Sequence, residues 1–299
     1  MSLGAARFRP DPLGMRIDES RQKAHHYLLG RRSPLGGFCF YRSAYLDEPN
    51  LFDTWHAVAA LALLGDLPPH RDALANFVCA QPPGGQPYEL FYRTFTLDIL
   101  HKPAPDHVLV KEMVNTLPLK LPDPTRHSAL SGQMERLLLT IRLKAYFGLA
   151  FTAEDIAWLI LGLEQSDGGF GTPSNLLDTR LALSILALCG QAASSRTAAF
   201  VPRLTLPEFA FRLTQYSLAP TLETVCAGIE CCRVLNLPVA YAEDAASFIL
   251  ACQTSNGGFA RAPGALPGIE LTHLALQGLA SLFESSPIHN HNHSGERHD

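Results

Sequence analysis

Residues 163–190 read LEQSDGGFGTPSNLLDTRLALSILALCG, and 251–280 read ACQTSNGGFARAPGALPGIELTHLALQGLA. Each runs from the end of an apolar helix through a Gln, a Gly-Gly-Phe turn and a polar loop into a new apolar helix. Self-similarity of this kind marks a repeat architecture and decides the fold. A third copy, GRRSPLGGFCFYRSAYLDEPNLFDTWHAVAALALLG (30–65), has a longer loop, and a fourth, CAQPPGGQPYELFYRTFTLDIL (79–100), is weaker. The Gly-Gly pairs begin at Gly36, Gly84, Gly168 and Gly257. They are separated by one interval of about 45 residues and then two of roughly twice that length. Degenerate copies fill the gaps: SALSGQMERLLLTIRLKAYFGL (128–149) and TQYSLAPTLETVCAGIECCRVLNLP (214–238). Six units therefore cover nearly the whole chain.

Each unit reads as two helices. Apolar positions in 178–188 recur on more than one side of a 3.6-residue wheel, as in a helix buried almost all round. Helices before the turns, 152–164 and 243–253, carry polar residues along one face. The first kind forms an inner layer and the second an outer one. Asp53-Thr54, Asp178-Thr179 and Glu223-Thr224 precede inner helices as candidate caps. Repeated strand signals are absent. A stack of helix pairs exposes an apolar face at each end, and bending it into a circle covers both. The expected fold is all-α: an α6/α6 toroid, a closed ring of six helix pairs around a central cavity. Residues 1–21 are expected to lie extended, 22–284 to form the toroid, and 285–299 to be a disordered His-rich tail.

The 299 residues are 47% hydrophobic and 17% charged, with a formal charge of −4. That balance suits burial both between layers and around a cavity, and it offers no basic stripe for nucleic acid. The N-terminal stretch lacks the apolar core of a secretory signal, and no apolar run reaches the ~18 residues of a membrane span. Seven cysteines without a CxxC motif read as reduced thiols, which implies a cytoplasmic protein.

Gln, Gly-Gly-Phe and then Asp-Thr opening a helix resembles the prenyltransferase and squalene-cyclase repeat. Gln253, Gly257 and Phe259 stand at the Gln-x-x-x-Gly-x-aromatic spacing of triterpene cyclases. The resemblance covers residues of about 22–284, and it implies a toroid whose hollow centre binds an isoprenoid chain. Fold alone does not give the reaction. Class II terpene cyclases protonate their substrate from an Asp-x-Asp-Asp run, and no such run exists here. Asp47-Glu48 and Glu243-Asp244 are adjacent acidic pairs of the toroid region, and both read as surface. An Asp-rich magnesium motif is missing too.

Protein prenyltransferase β subunits are similar in size and in their single-ring plan. That resemblance implies zinc held by Asp-x-Cys in the fifth repeat and His in the sixth, with an α subunit as partner. Here the fifth repeat offers Thr224-Val225-Cys226 beside Glu223, and the sixth has Leu271 at the His position. His273 lies two residues on, about 200° round the helix. Cys226 and His273 are the metal candidates only if Glu223 joins them through a shifted register.

A second constellation collects at the starts of the inner helices. His56, Asp53, Asp178 and Glu223 are candidate acid–base groups. Tyr92, Arg93, Arg180, Trp55, Phe91 and Glu270 are candidate substrate-binding groups, with Arg93 and Arg180 suited to a diphosphate or carboxylate. Phe38, Phe40, Tyr41, Phe95 and Phe170 join Trp55 and Phe91 as pocket-lining aromatics whose π faces stabilise cations. Capping, inter-repeat ion pairs and core packing are the competing readings of these same residues. The function expected is a prenyltransferase- or terpenoid-cyclase-like enzyme acting on an isoprenoid or prenyl diphosphate with a non-standard catalytic motif. The alternatives are a zinc-dependent β-like subunit and a non-catalytic lipid-binding scaffold.

Overall fold

A computed structural model describes residues 12–40, 42–43, 46–120 and 130–283. Twelve α-helices form among them in six outer–inner pairs. They are α1 (Pro12–Gly30) with α2 (Leu51–Leu63), α3 (Arg71–Ala80) with α4 (Pro87–Ile99), and α5 (His107–Thr116) with α6 (Leu130–Tyr146). The chain continues with α7 (Ala153–Leu161) and α8 (Leu176–Leu188), α9 (Ser195–Phe200) and α10 (Leu222–Val234), and α11 (Ala242–Ala251) and α12 (Ile269–Phe283). The even-numbered helices pack in succession, α2 on α4, α4 on α6, α6 on α8, α8 on α10 and α10 on α12, and α12 packs back on α2. The inner layer thus closes on itself, as the repeat requires. Helix α1 completes the outer layer at the seam by touching α2, α11 and α12.

One expectation fails here. Residues 12–21 are not extended but form the first turns of α1, while 1–11 and 284–299 lie outside the described residues. Pro12 opens the helix rather than breaking it, because a first-turn residue has no intrahelical N–H bond to lose.

The repeat motif is a latch between layers. In three units the aromatic after Gly-Gly donates its backbone N–H to a threonine near the start of the inner helix. Phe38 donates to Thr54 Oγ1 at 3.0 Å, Phe170 to Thr179 at 3.1 Å and Phe259 to Thr272 at 3.0 Å. Each hydroxyl in turn donates to a carbonyl four residues back, Asn50, Asn175 or Gly268. The three aromatic rings are wholly buried. The first glycine of the pair matters at the seam: Gly257 has φ +94°, and a Cβ there would stand 2.2 Å from the Lys23 carbonyl of α1. Only glycine permits that approach. Gln253 ties the same corner by donating to the Ser20 and Gly257 carbonyls.

Short antiparallel hairpins punctuate three loops that lead into inner helices. They pair β1 (Arg42–Ser43) with β2 (Leu46–Asp47), β3 (Thr205–Leu206) with β4 (Ala210–Phe211), and β5 (Phe259–Ala260) with β6 (Pro267–Gly268).

Candidate functional site

An inner helix is flanked by two inner neighbours and backed by its outer partner, so only one side remains for the ring axis. Side chains that keep partial exposure along these helices therefore mark the side turned to the axis. Phe52, Trp55 and His56 on α2, Tyr92 and Phe95 on α4, and Arg180 on α8 are of this kind. Burial raises the Glu270 carboxyl on α12, and so do the charges of Glu135 on α6, Glu223 on α10 and Asp53 on α2. Carboxylates from α2, α6 and α10 thus lie within electrostatic range of Glu270 on α12.

One wall is aromatic. Trp55 contacts His56, Phe91, Tyr92 and His273 with ring centroids 4.5–5.5 Å apart. Phe52 packs edge-on against His56 and Tyr92, and the series continues through Phe91 and Phe95 to Tyr146 on α6. Helices α2 and α12 meet in a direct contact between imidazoles, His56 Nδ1 to His273 Nδ1 at 3.0 Å. Burial, reinforced by His273, holds His56 well below the ordinary histidine range, and burial lowers His273 to about 4. Both rings are therefore neutral near pH 7. Burial also raises the Tyr92 phenol, with Glu135 and Glu270 adding to the effect, so it stays protonated.

The opposite wall is cationic. Arg180 Nη1 lies 3.3 Å from Glu230 Oε2, and Ser184 Oγ donates to Glu230 Oε1 at 3.1 Å. Arg142 on α6 feels Glu230, Arg180 and Arg233 together, although α8 separates its helix from α10. Burial, helped by the other two guanidinium groups, holds Arg142 below the usual arginine range against the pull of Glu230. Arg142 and Arg233 are exposed and Arg180 is half-buried, so the three cations stay in contact with solvent. Arg180 is the guanidinium in contact with Glu230, and Arg142 lies within electrostatic range of Glu230, Arg180 and Arg233. Three guanidinium groups against one carboxylate leave a net positive region, suited to bidentate contacts with phosphate or carboxylate oxygens.

Several expected site residues serve the scaffold instead. Asp53 accepts from Asn50 Nδ2 at 2.6 Å and from the Phe40 N–H at 2.9 Å, while Asn50 Oδ1 caps the Asp53 N–H. Asp178 repeats this with Asn175 and also accepts from Ser131 Oγ. Both carboxylates hold turns, and neither is free to move a proton. Arg93 faces away from the axis. Its buried guanidinium donates to the Val78 and Gln81 carbonyls and to both Asp106 oxygens, which uses it as a pin for the outer layer. Phe38 and Phe170 are core residues of the latches, and Tyr41 lies outside the described residues. Glu223 pairs with Arg261 at 2.9 Å, and its other oxygen is buried without a partner among the described residues.

The metal candidates do not converge. The Cys226 thiol, pushed up by burial, points at the Leu274 carbonyl and fills the space beside Gly278, whereas His273 is engaged by His56. Among the described residues no three His, Cys, Asp or Glu side chains gather as a metal site would need. These residues do not fit the zinc of protein prenyltransferases. The groups that sequence reasoning missed are Phe52, Glu135, Arg142, Glu230 and Arg233. Their one signal was a lone polar or aromatic residue interrupting an apolar inner helix, as in LLLTIRLKA and VCAGIECC.

The family model of the prenyltransferase alpha-alpha toroid domain matches residues 11–86 and 142–293. The chain belongs to this family. Among solved structures, this toroid is similar to Candida albicans protein geranylgeranyltransferase-I complexed with GGPP. Identity there is 15%, coverage is 77% of this chain and 83% of that one, and the TM-score is 0.62. It is also similar to the type II terpene cyclase MstE from Scytonema. A substituted form of MstE in complex with geranylgeranyl dihydroxybenzoate gives 14% identity, 91% and 98% coverage and a TM-score of 0.60. The apo form of MstE gives 14% identity, 91% and 99% coverage and 0.58. No curated protein sequence matches the chain. At these identities the likeness carries the fold alone. Among the described residues no helix of the toroid is long and apolar enough to cross a membrane.

Proposed function

We propose that this toroid binds a prenyl diphosphate inside the ring and ionises it. The carrying observation is the opposition of two walls: Arg142, Arg180 and Arg233 on one side, and Phe52, Trp55, Tyr92 and Phe95 on the other. A prenyl diphosphate has the complementary division, an anionic head on an apolar chain. Breaking its C–O bond leaves the electron pair on the diphosphate and a cation on the allylic carbon. Guanidinium donors stabilise the departing anion. Aromatic faces and the carboxylates of Glu135 and Glu270 favour the cation. Both ligands named for the neighbouring structures carry a geranylgeranyl group, which supports a chain of that length.

The test is calorimetric titration and turnover of the full chain with geranyl, farnesyl and geranylgeranyl diphosphate. Geranylgeraniol serves as the uncharged control. Binding that needs the diphosphate, with release of inorganic diphosphate, is the expected result. Retention of geranylgeraniol without any diphosphate release would instead favour a lipid-binding scaffold.

A further inference from the structure

The contact between His56 and His273 constrains the protons of the pair. Two neutral imidazoles 3.0 Å apart through Nδ1 atoms can bond only if one ring carries its hydrogen on Nδ1 and the other does not. The donor ring then has a bare Nε2 lone pair, and the acceptor ring carries Nε2–H. His56 keeps partial exposure on the axis face whereas His273 is buried, so His56 is the ring whose far edge reaches the interior. Phe52, Trp55 and Tyr92 pack against the His56 ring. The charged or titratable groups closest to this region are Asp53 on the same helix, Tyr92 on α4 and Glu270 one turn before His273. Asp53 is committed to its turn and Tyr92 is held protonated.

We infer that His56, with Nδ1–H donated to His273, is the base that ends the reaction by taking a proton from the hydrocarbon cation. In this step a C–H bond next to the cationic carbon breaks. Its electron pair becomes a C=C π bond, and the proton joins His56 Nε2. The charge is then shared as the bridging hydrogen moves from His56 Nδ1 to His273 Nδ1. No oxidant, reductant or metal enters. A weakly basic imidazole suffices because a carbocation is a very strong acid. His273 is a positioning residue that fixes the tautomer. The inference rests on the prenyl-diphosphate reading, and its test separates the two.

Full chain labelled with 15N-histidine should show one bridging proton coupled to both Nδ1 nuclei. Two rings protonated at Nε2 with no bridging proton would overturn the tautomer. Products from geranylgeranyl diphosphate are then compared for wild type, His56→Phe, His273→Leu and His273→Asn. Asn retains an acceptor oxygen near the Nδ1 position, and Leu does not. Alkene formed per diphosphate released is expected to fall at least tenfold in His56→Phe and His273→Leu, with alcohol in its place, and to recover in His273→Asn. Unchanged alkene in both defective variants would overturn the base while leaving the diphosphate reading intact. Wild type that releases no diphosphate would overturn that reading and the base with it.

Discussion

The guanidinium of Arg93 on α4 holds both carboxylate oxygens of Asp106 at 2.8 Å, directed to the outer layer and away from the ring axis. With the Val78 and Gln81 carbonyls, that pair pins the α3–α4 corner to the start of α5. Removing one member of a buried ion pair strands the other and costs about 3–5 kcal/mol. Arg93→Met should therefore lower unfolding stability by that order in urea denaturation while leaving geranylgeranyl diphosphate affinity unchanged. A selective loss of affinity in a stable variant would return Arg93 to the binding site.

The latches make a second prediction. Thr179→Val keeps shape but leaves the buried Phe170 N–H without its acceptor, at a cost of about 1–3 kcal/mol. Gly257→Ala should destabilise further, because the added Cβ meets backbone rather than a movable side chain. Thermal unfolding of both variants, compared with an exposed Gly190→Ala control that meets no atom, measures the difference.

The histidine pair sets the acid limit of the fold. Folded His273 binds its proton only near pH 4, whereas an unfolded histidine does so near 6.5. Between those values the unfolded chain holds more protons, so stability is full above about pH 6.5 and falls as pH drops toward 4. The difference corresponds to about 3 kcal/mol. Glu135 and Glu270, whose carboxyls are raised, act in the opposite direction. Comparison of wild type with His273→Asn by urea denaturation from pH 4 to 7 isolates the histidine. The variant is expected to lose less stability on acidification, and parallel curves would contradict the assignment.

The arginine wall predicts selectivity. A charge-assisted hydrogen bond contributes about 1.5–3 kcal/mol, so Arg142→Gln should weaken geranylgeranyl diphosphate binding by roughly 10- to 100-fold. Arg180→Gln should do the same and also release Glu230. Geranylgeraniol binding, which uses only the aromatic wall, should hold within about twofold in calorimetry.

The toroid was legible because its signals are local. A Gly-Gly-Phe turn, an Asn or Thr cap and an apolar helix lie within about 25 residues of one another and recur. The site was less legible because an acidic residue at a helix start looks alike in a cap and in an active site. Only the bonds of Asp53 and Asp178 with Asn50 and Asn175 separate the two roles. Trp55, His56, Tyr92, Arg180 and Glu270 stand out in the sequence because they lie near recognisable turns. Arg142 and Glu230 were missed because they lie late in the helices of the degenerate third and fifth repeats. Without a turn as marker, helical phase there depends on packing that sequence does not print. The His56–His273 contact joins residues 217 positions apart and follows only from ring closure.

The most direct test of a prenyl diphosphate held between the two walls is a crystal structure of the full chain with a thiolodiphosphate analogue of geranylgeranyl diphosphate. The diphosphate should lie within hydrogen-bonding distance of Arg142, Arg180 or Arg233, with the chain against Trp55, Tyr92 and Phe95. Density for the analogue on the outer surface, or a ring axis filled by side chains, would contradict the account.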